Sequence, residues 1–166
     1  MTYMPAYCDP NNTVTGALYD SKISTTEIAK RFRKQVSQGK KGKGVGQDIP
    51  KDVKLSVKTQ YFAGGSSINV NIKEIPRSWS LFNADFIKTE KDEYGRPLNY
   101  RGEMWSPEVL GLLELLQGML NSFNRQNIDA MSDYFDVNFY GFVGVDWELE
   151  KEEREFLSQT ILAFQS

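Results

Sequence analysis

The chain has 166 residues, of which 40% are hydrophobic and 25% charged, and its net charge is −2; this length is enough for one domain with a hydrophobic core. Histidine is absent and Cys8 is the only cysteine, which excludes a Ser–His or Cys–His catalytic pair, a histidine-ligated metal, an intrachain disulfide and a usual structural zinc site. No apolar run approaches the roughly 20 residues that cross a bilayer, and the N-terminus MTYMPAYCDP has no signal-peptide pattern, so we expect a cytoplasmic protein.

The first 36 residues predict an irregular arm followed by a helix. Residues 1–22 are polar with scattered tyrosines, and we expect an N-terminal arm there, before a single domain at 23–166. In ISTTEIAKRFRKQV, Ser24 suits the N-cap and Glu27 the N3 position of a capping box. The predicted core stripe of this helix has i, i+4, i+8 spacing: Ile28, Phe32 and Val36.

A loop and two strands are predicted next. Ser37–Asp52 contains four glycines and a proline, which predicts a flexible loop. VKLSVKTQYF and SSINVNIKEI then alternate apolar and polar residues, as half-buried strands do. A phosphate-binding loop would place its glycines before a helix, whereas Gly64 and Gly65 precede a strand. We therefore predict a hairpin turn with both glycines at positive φ.

The stretch from Pro76 to Trp105, which we call the excursion, has no steady period and is rich in aromatic residues. We predict one short helix within it, at Asn83–Glu90. Segments of this length without their own secondary structure are uncommon unless they are functional.

The remaining third of the chain predicts helix, strand and helix. In SPEVLGLLELLQGMLNSF, Ser106 suits the N-cap and Pro107 the first helical turn. DVNFYGFVGVDWEL alternates as one long strand, and EKEEREFLSQTILAF has helical spacing. The order α-β-β-(excursion)-α-β-α predicts an α+β fold, in which a small antiparallel sheet of three to four strands has helices packed on one face.

A basic patch contains seven cationic residues without an acidic one between them. Such a patch can contact the phosphates of a nucleic acid, and the alternative is a solvated helix face followed by a mobile loop. No aromatic residue that could stack on bases is interleaved. The seven residues are Lys30, Arg31, Arg33, Lys34, Lys40, Lys41 and Lys43.

Acidic residues concentrate instead between residues 129 and 155, so the near-neutral total hides a charge asymmetry. Aspartates in this region could hold Mg²⁺ or Ca²⁺, although their spacing matches no EF-hand. The alternative is that they serve as caps and turn residues. The cluster comprises Asp129, Asp133, Asp136 and Asp146, and we expect neither a metal site nor any cofactor.

Four aromatic residues are candidate anchors of a protein interface: Trp79, Tyr94, Tyr140 and Phe142. Tyr140 and Phe142 share the strand face opposite Val143, so both faces of that strand carry apolar side chains. Either a second layer covers the Tyr140 face, in which case the excursion is the candidate, or a partner does.

Three stretches resemble one family: ISTTEIAKRFRKQV, KLSVKTQYFAGGSSINVNI, and the segment from SPEVLGL to FVGVDW that contains MSDYFDVNFYG. They are similar to the large polyvalent protein-associated domain numbered twenty-nine, over Lys22–Leu149. The resemblance implies a domain carried by phages, plasmids and other conjugative elements, and by their bacterial hosts. It supplies no catalytic residues, and Phe142 stands where histidine is expected in some relatives.

The leading hypothesis is a non-enzymatic protein of a mobile genetic element that acts by protein–protein contact in the bacterial cytoplasm. A host or defence protein is the expected partner, and counter-defence of the anti-CRISPR kind is one concrete form. The alternative is a nucleic-acid-binding module that uses the basic patch at 30–43. A weaker alternative is a metal-dependent enzyme that uses Asp133, Asp136 and Asp146.

Overall fold

A computed structural model describes residues 13–94, 96, 102–129 and 134–165. Its helices in these ranges are α1 (Thr25–Lys40), α2 (Ala84–Lys88), α3 (Pro107–Asn121) and α4 (Trp147–Gln165). The strands are β1 (Thr13–Thr15), β2 (Lys54–Phe62), β3 (Gly65–Glu74), β4 (Arg125–Asp129), β5 (Tyr134–Val137) and β6 (Tyr140–Val145). No helix in the described ranges has the length and apolarity that a bilayer crossing requires.

The strands form two three-stranded sheets, in the orders β1-β4-β5 and β2-β3-β6. All pairs are antiparallel except β3–β6, which is parallel. The predicted α+β class is confirmed, with two differences in detail: the strands divide between two sheets, and one pair is parallel. A parallel pair needs a long crossover, and the chain between β3 and β6, which includes α2, α3, β4 and β5, supplies it.

The end of the predicted arm is part of the first sheet. Thr13–Thr15 pair with β4, and two backbone hydrogen bonds continue past the strand. The Gly16 N–H donates to the Asn124 carbonyl and the Leu18 N–H to the Ser122 carbonyl, each at 2.8 Å. Residues 13–18 are therefore tied to the domain, and residues 1–12 lie outside the described ranges.

The N-terminus of α1 begins as its capping residues predict. The Ser24 hydroxyl accepts from the Glu27 N–H at 3.1 Å, while the Glu27 carboxylate pairs with Arg31 one turn on. The Tyr61 hydroxyl hydrogen-bonds the Thr26 N–H and hydroxyl at 3.1 and 2.8 Å, and these bonds lower the pKa of Tyr61. The hairpin therefore holds the first turn of α1 in place.

The segment 37–52 is packed on α1 and does not form the free loop that its glycines predict. The helix continues to Lys40, and a 3₁₀ turn follows at Gly44–Gly46. A Cβ added to Gly39 would lie 2.1 Å from the Gly46 carbonyl oxygen, so the two backbones touch. Ile49 and Val53 enter the core beyond this contact. The glycines thus permit close packing of backbone on helix.

The predicted hairpin turn is confirmed, with one difference. Phe62 and Gly65 close a two-residue loop, and Gly64 has a φ of 90°. Gly65 is the first residue of β3 and is not among the positive-φ glycines. Its missing side chain has another role, because a Cβ there would lie 3.3 Å from the Phe62 ring and 3.7 Å from the Tyr140 ring.

The predicted long strand is divided at Asn138 and Phe139 into β5 and β6, and α4 begins at Trp147. Asn124 occupies the break. Its side-chain Nδ2 donates to the Phe139 carbonyl at 2.7 Å and its Oδ1 accepts from the Phe139 N–H at 3.3 Å. Because both residues are buried, this amide replaces the strand partner that Phe139 lacks.

Two apolar clusters hold the elements together. The larger lies between α1, α3 and the β2–β3–β6 sheet, with Ile28, Phe32, Ile68 and Leu116 near its centre. In the smaller, part of the excursion packs on the start of α3; its buried members are Leu81, Phe82, Phe86 and Val109. The short helix predicted in the excursion is confirmed as α2.

Candidate protein-binding face

The β2–β3–β6 sheet has one face toward the core and one toward solvent. Ile68, Val70 and Ile72 of β3 are buried on the core face. Because strand side chains alternate, the residues between them share the other face, which we call the open face. The pairing of β3 with β2 and β6 identifies the residues of those two strands that lie on the same face. The open face comprises Ser56, Lys58, Gln60, Phe62, Gly65, Ser67, Asn69, Asn71, Lys73, Tyr140, Phe142 and Gly144.

Three aromatic rings form a strip on the open face. Phe62 and Tyr140 have ring centroids 6.1 Å apart, and Tyr140 and Phe142 have parallel rings with centroids 6.5 Å apart. Phe142 is 57% exposed and Phe62 45%. We call Phe62, Tyr140 and Phe142 the aromatic strip. It places neighbouring aromatic side chains partly in water, and exposed apolar patches can mark protein interaction sites.

Small and polar residues surround the aromatic strip. Ser67 lies opposite Tyr140 and Asn69 opposite Phe142 in the parallel register. The Asn69 side-chain amide donates to the Ser67 hydroxyl at 3.2 Å, and Lys58 lies beyond Asn69 on β2. Ser67 is buried, so the side chains beside the rings that can offer hydrogen bonds to a partner are the half-buried Asn69 and the exposed Lys58.

No described element covers the aromatic strip. The apolar residues of the excursion that the smaller cluster contains pack on α3, and there Phe82 stacks on Trp105 with ring centroids 5.9 Å apart. The alternative in which the excursion forms a second layer over Tyr140 and Phe142 is therefore wrong for the described residues. The other explanation from the sequence, that a partner covers this face, stays a prediction.

The far end of the open face carries an ion pair. The Lys73 Nζ lies 2.8 Å from Asp146 Oδ1, and this hydrogen bond lowers the pKa of Asp146 and raises that of Lys73. The other Asp146 oxygen accepts from the Glu148 N–H at 3.2 Å, a helix-capping contact. Asp146 thus serves as a cap and an ion-pair partner.

The weaker metal hypothesis gains no support from these contacts. The described residues contain no group of three or more carboxylate or thiol side chains placed to hold a cation. Asp133 and the side chains of Asp129 and Asp136 lie outside the described residues.

The other two interface candidates lie elsewhere. Trp79 is half-buried and packs against both clusters, so it belongs to the core. Tyr94 is 65% exposed, and the Arg96 guanidinium lies 5.1 Å from its ring centroid. The structure therefore brings Tyr140 and Phe142 together and adds Phe62. Strand alternation puts Phe62 on the polar side of β2, but its contact with Tyr140 depends on the register with β3.

The cations of the basic patch fall into two groups: those that bond to another group of the chain, and those that form no ion pair among the described residues. Arg31 pairs with Glu27, and Arg33 donates to the Val57 carbonyl at 2.6 Å. Within the described ranges, no ion pair forms at the five lysines: Lys30, Lys34, Lys40, Lys41 and Lys43. Helical periodicity places Lys30 and Lys34 opposite the buried stripe, and both are exposed.

Comparisons with protein-family models, with curated proteins and with solved structures find no match to this chain. The family resemblance and the origin in a mobile genetic element thus stay predictions.

Proposed function

We propose that this chain is a non-enzymatic binding protein that contacts another protein through the open face of the β2–β3–β6 sheet. The observation that carries the proposal is the exposed aromatic strip of Phe62, Tyr140 and Phe142. Aromatic residues are enriched among the anchors of protein interfaces. Burying one such side chain contributes about 1.5–3 kcal/mol, and the half-buried Asn69 and Asn71 supply polar groups beside the strip.

The family resemblance suggests which partner to test first. It places such domains in phages, plasmids and conjugative elements, so the proposed partner is a host or defence protein of the bacterial cell. Inhibition of an immune complex, in the manner of an anti-CRISPR protein, is the concrete form of this proposal.

We expect Phe142→Ser to weaken partner binding by at least about tenfold, because it removes an interface anchor, while the fold stays intact since most of the ring is in water. The measurement is affinity capture from a bacterial host lysate, followed by titration of the captured protein against each variant. Val45→Ser is the matched control, since Val45 is 60% exposed and lies in the 3₁₀ turn, away from the sheet.

Equal binding by wild type and Phe142→Ser would remove the open face from the interface. A hydrolytic activity that co-purifies with the chain and disappears through one point mutation would contradict the non-enzymatic assignment.

A second candidate is a nucleic-acid-binding module, favoured by the lysines that have no ion-pair partner among the described residues. Replacing Lys40, Lys41 and Lys43 with glutamine should then weaken DNA or RNA binding. It should also reduce the slope of the logarithm of the association constant against the logarithm of salt concentration, by up to about 0.9 for each phosphate that is no longer neutralised.

The measurement is fluorescence anisotropy over a salt series with labelled duplex DNA and single-stranded RNA. A triple glutamine variant at the exposed Lys22, Lys51 and Lys88 removes the same charge elsewhere. Absence of binding at low salt, or an equal effect of the two triple variants, would count against this candidate.

A further inference from the structure

The outer edge of β2 carries backbone groups that no described strand satisfies. β2 lies at the end of its sheet and pairs with β3 alone among the described strands. The Arg33 guanidinium of α1 donates to the Val57 carbonyl at 2.6 Å. In an antiparallel pair, alternate residues direct both their N–H and C=O groups away from the neighbour. Leu55, Val57 and Thr59 thus present backbone groups along this edge.

A groove of about 250 Å³ runs between this edge and α1. Its floor is apolar, formed by Val36, Leu55 and Val57, and its polar wall carries Arg33, Ser37 and Lys40. Among the described residues, no acidic side chain lines it. The groove therefore combines an outer strand edge, an apolar floor and two positive charges.

The α1 wall of the groove is held in place near both ends of the helix. The Tyr61 hydroxyl of β2 bonds the first turn of α1 through Thr26, and near the other end Gly39 packs on the Gly46 backbone of the 3₁₀ turn. The position of α1 is thereby constrained before any ligand arrives. A preformed site loses less conformational entropy on binding than a flexible one.

We infer that this groove binds an extended acidic peptide segment, which adds to β2 as a further strand. Strand addition supplies backbone hydrogen bonds, while pockets for alternate side chains give selectivity. Apolar side chains of the peptide would face Val36 and Leu55, and carboxylates would face Arg33 and Lys40. A peptide N–H can replace the Arg33 guanidinium on the Val57 carbonyl, which frees that guanidinium for a bidentate bond to a peptide carboxylate.

The same cations could attract a nucleic acid, but the rest of the groove favours a peptide. A sugar–phosphate backbone has no row of N–H donors to match the edge carbonyls, and it gains little from an apolar floor. This inference concerns a different surface from the open face and does not depend on the proposed function.

The test is a titration of the intact protein with a fluorescein-labelled peptide that alternates valine and glutamate. We expect Arg33→Gln/Lys40→Gln to weaken its binding by about tenfold or more, as truncation of charged pairs does at interfaces. Lys30→Gln/Lys41→Gln removes the same charge from α1 and the residue after it, without touching the groove, and should change binding less than about twofold.

Two further peptides, N-methylated at alternate residues in the two possible registers, keep the charges, and each lacks the N–H donors of one edge. We expect one of the two N-methylation registers to abolish binding. Bound unmodified peptide should slow hydrogen exchange at the Leu55, Val57 and Thr59 amides, which charge attraction alone would not do.

Four results would overturn the inference: no saturation at millimolar peptide, equal binding of both N-methylated peptides and the parent, equal weakening in the two charge variants, or full displacement of the peptide by an oligonucleotide. Phe142→Ser lies on the open face and should leave peptide binding unchanged. The peptide titration therefore tests the groove independently of the open face.

Discussion

Replacing Gly39 with alanine should lower the free energy of unfolding by about 1–3 kcal/mol, the range of overpacking substitutions. The added Cβ would lie 2.1 Å from the Gly46 carbonyl oxygen and 2.7 Å from the Gly46 Cα. Both contacts are with backbone, so no side-chain rotation relieves them. The 3₁₀ turn must move, and it precedes Ile49 and Val53, which are buried in the core.

Urea unfolding followed by circular dichroism measures this change, and Gly111→Ala provides its counterpart. Gly111 also lies in a helix, but a Cβ there meets nothing within 4 Å. Helix propensity then dominates, and we expect Gly111→Ala to stabilise the protein by up to about 1 kcal/mol. Stabilisation by Gly39→Ala as well would show that the Gly39–Gly46 approach is not a constraint in solution.

Replacing Asn124 with leucine should cost about 3 kcal/mol of stability. Leucine has the same branched arrangement of side-chain heavy atoms but cannot bond either backbone group of Phe139. Each buried polar group left without a partner costs about 1–3 kcal/mol. The expected consequence is a lower midpoint of denaturant unfolding with an unchanged slope, since the fold should remain the same.

The Asn124→Asp variant tests whether the stability that Asn124 contributes comes from hydrogen bonding or from packing. A carboxylate accepts from the Phe139 N–H but repels the Phe139 carbonyl, so the folded state should raise the pKa of this aspartate. Its stability deficit relative to wild type should then shrink as pH falls and the acid form becomes a donor. The leucine variant should show a deficit independent of pH.

Asn71→Ala is the control, since it removes a half-buried amide from the open face of β3 and should cost less than about 1 kcal/mol. An Asn124→Leu deficit as small as this one would mean that the amide does not hold the β5–β6 break together.

Signals that act within a few residues were sufficient to predict several elements. Ser24 and Ser106 cap their helices as expected, because an N-cap is a contact between a side chain and the next turn. The β2–β3 hairpin is predictable for a similar reason, since Gly64 supplies the positive φ of a short loop.

The features that sequence periodicity did not predict, strand β4 and the break between β5 and β6, depend on long-range contacts. β4 has the sequence RQNID, in which apolar residues do not alternate, and it becomes a strand because β1 and β5 pair with it. The alternation through residues 137–147 is continuous, so nothing local marks the break at Phe139. That break exists because Asn124, distant in sequence, bonds both of its backbone groups.

The candidate site was predictable in part for the same reasons. Strand alternation places Tyr140 and Phe142 on one face, but Phe62 joins them only through a register set by β3. Arg33 looks like one cation among seven in the sequence. Its bond to the Val57 carbonyl depends on how α1 lies across β2, which no local pattern encodes.

The parallel pairing of β3 with β6 also constrains the order in which the strands of this sheet can form during folding. Ser67 and Tyr140, which pair in this register, are 73 residues apart in the chain, so the hairpin can form long before its third strand is available. Closing such a long loop carries an entropic cost that slows folding. A nascent chain that ends before Tyr140 leaves the inner edge of β3 unpaired and lacks two of the three rings on the open face. Completion of the sheet and completion of its aromatic surface are therefore the same folding event.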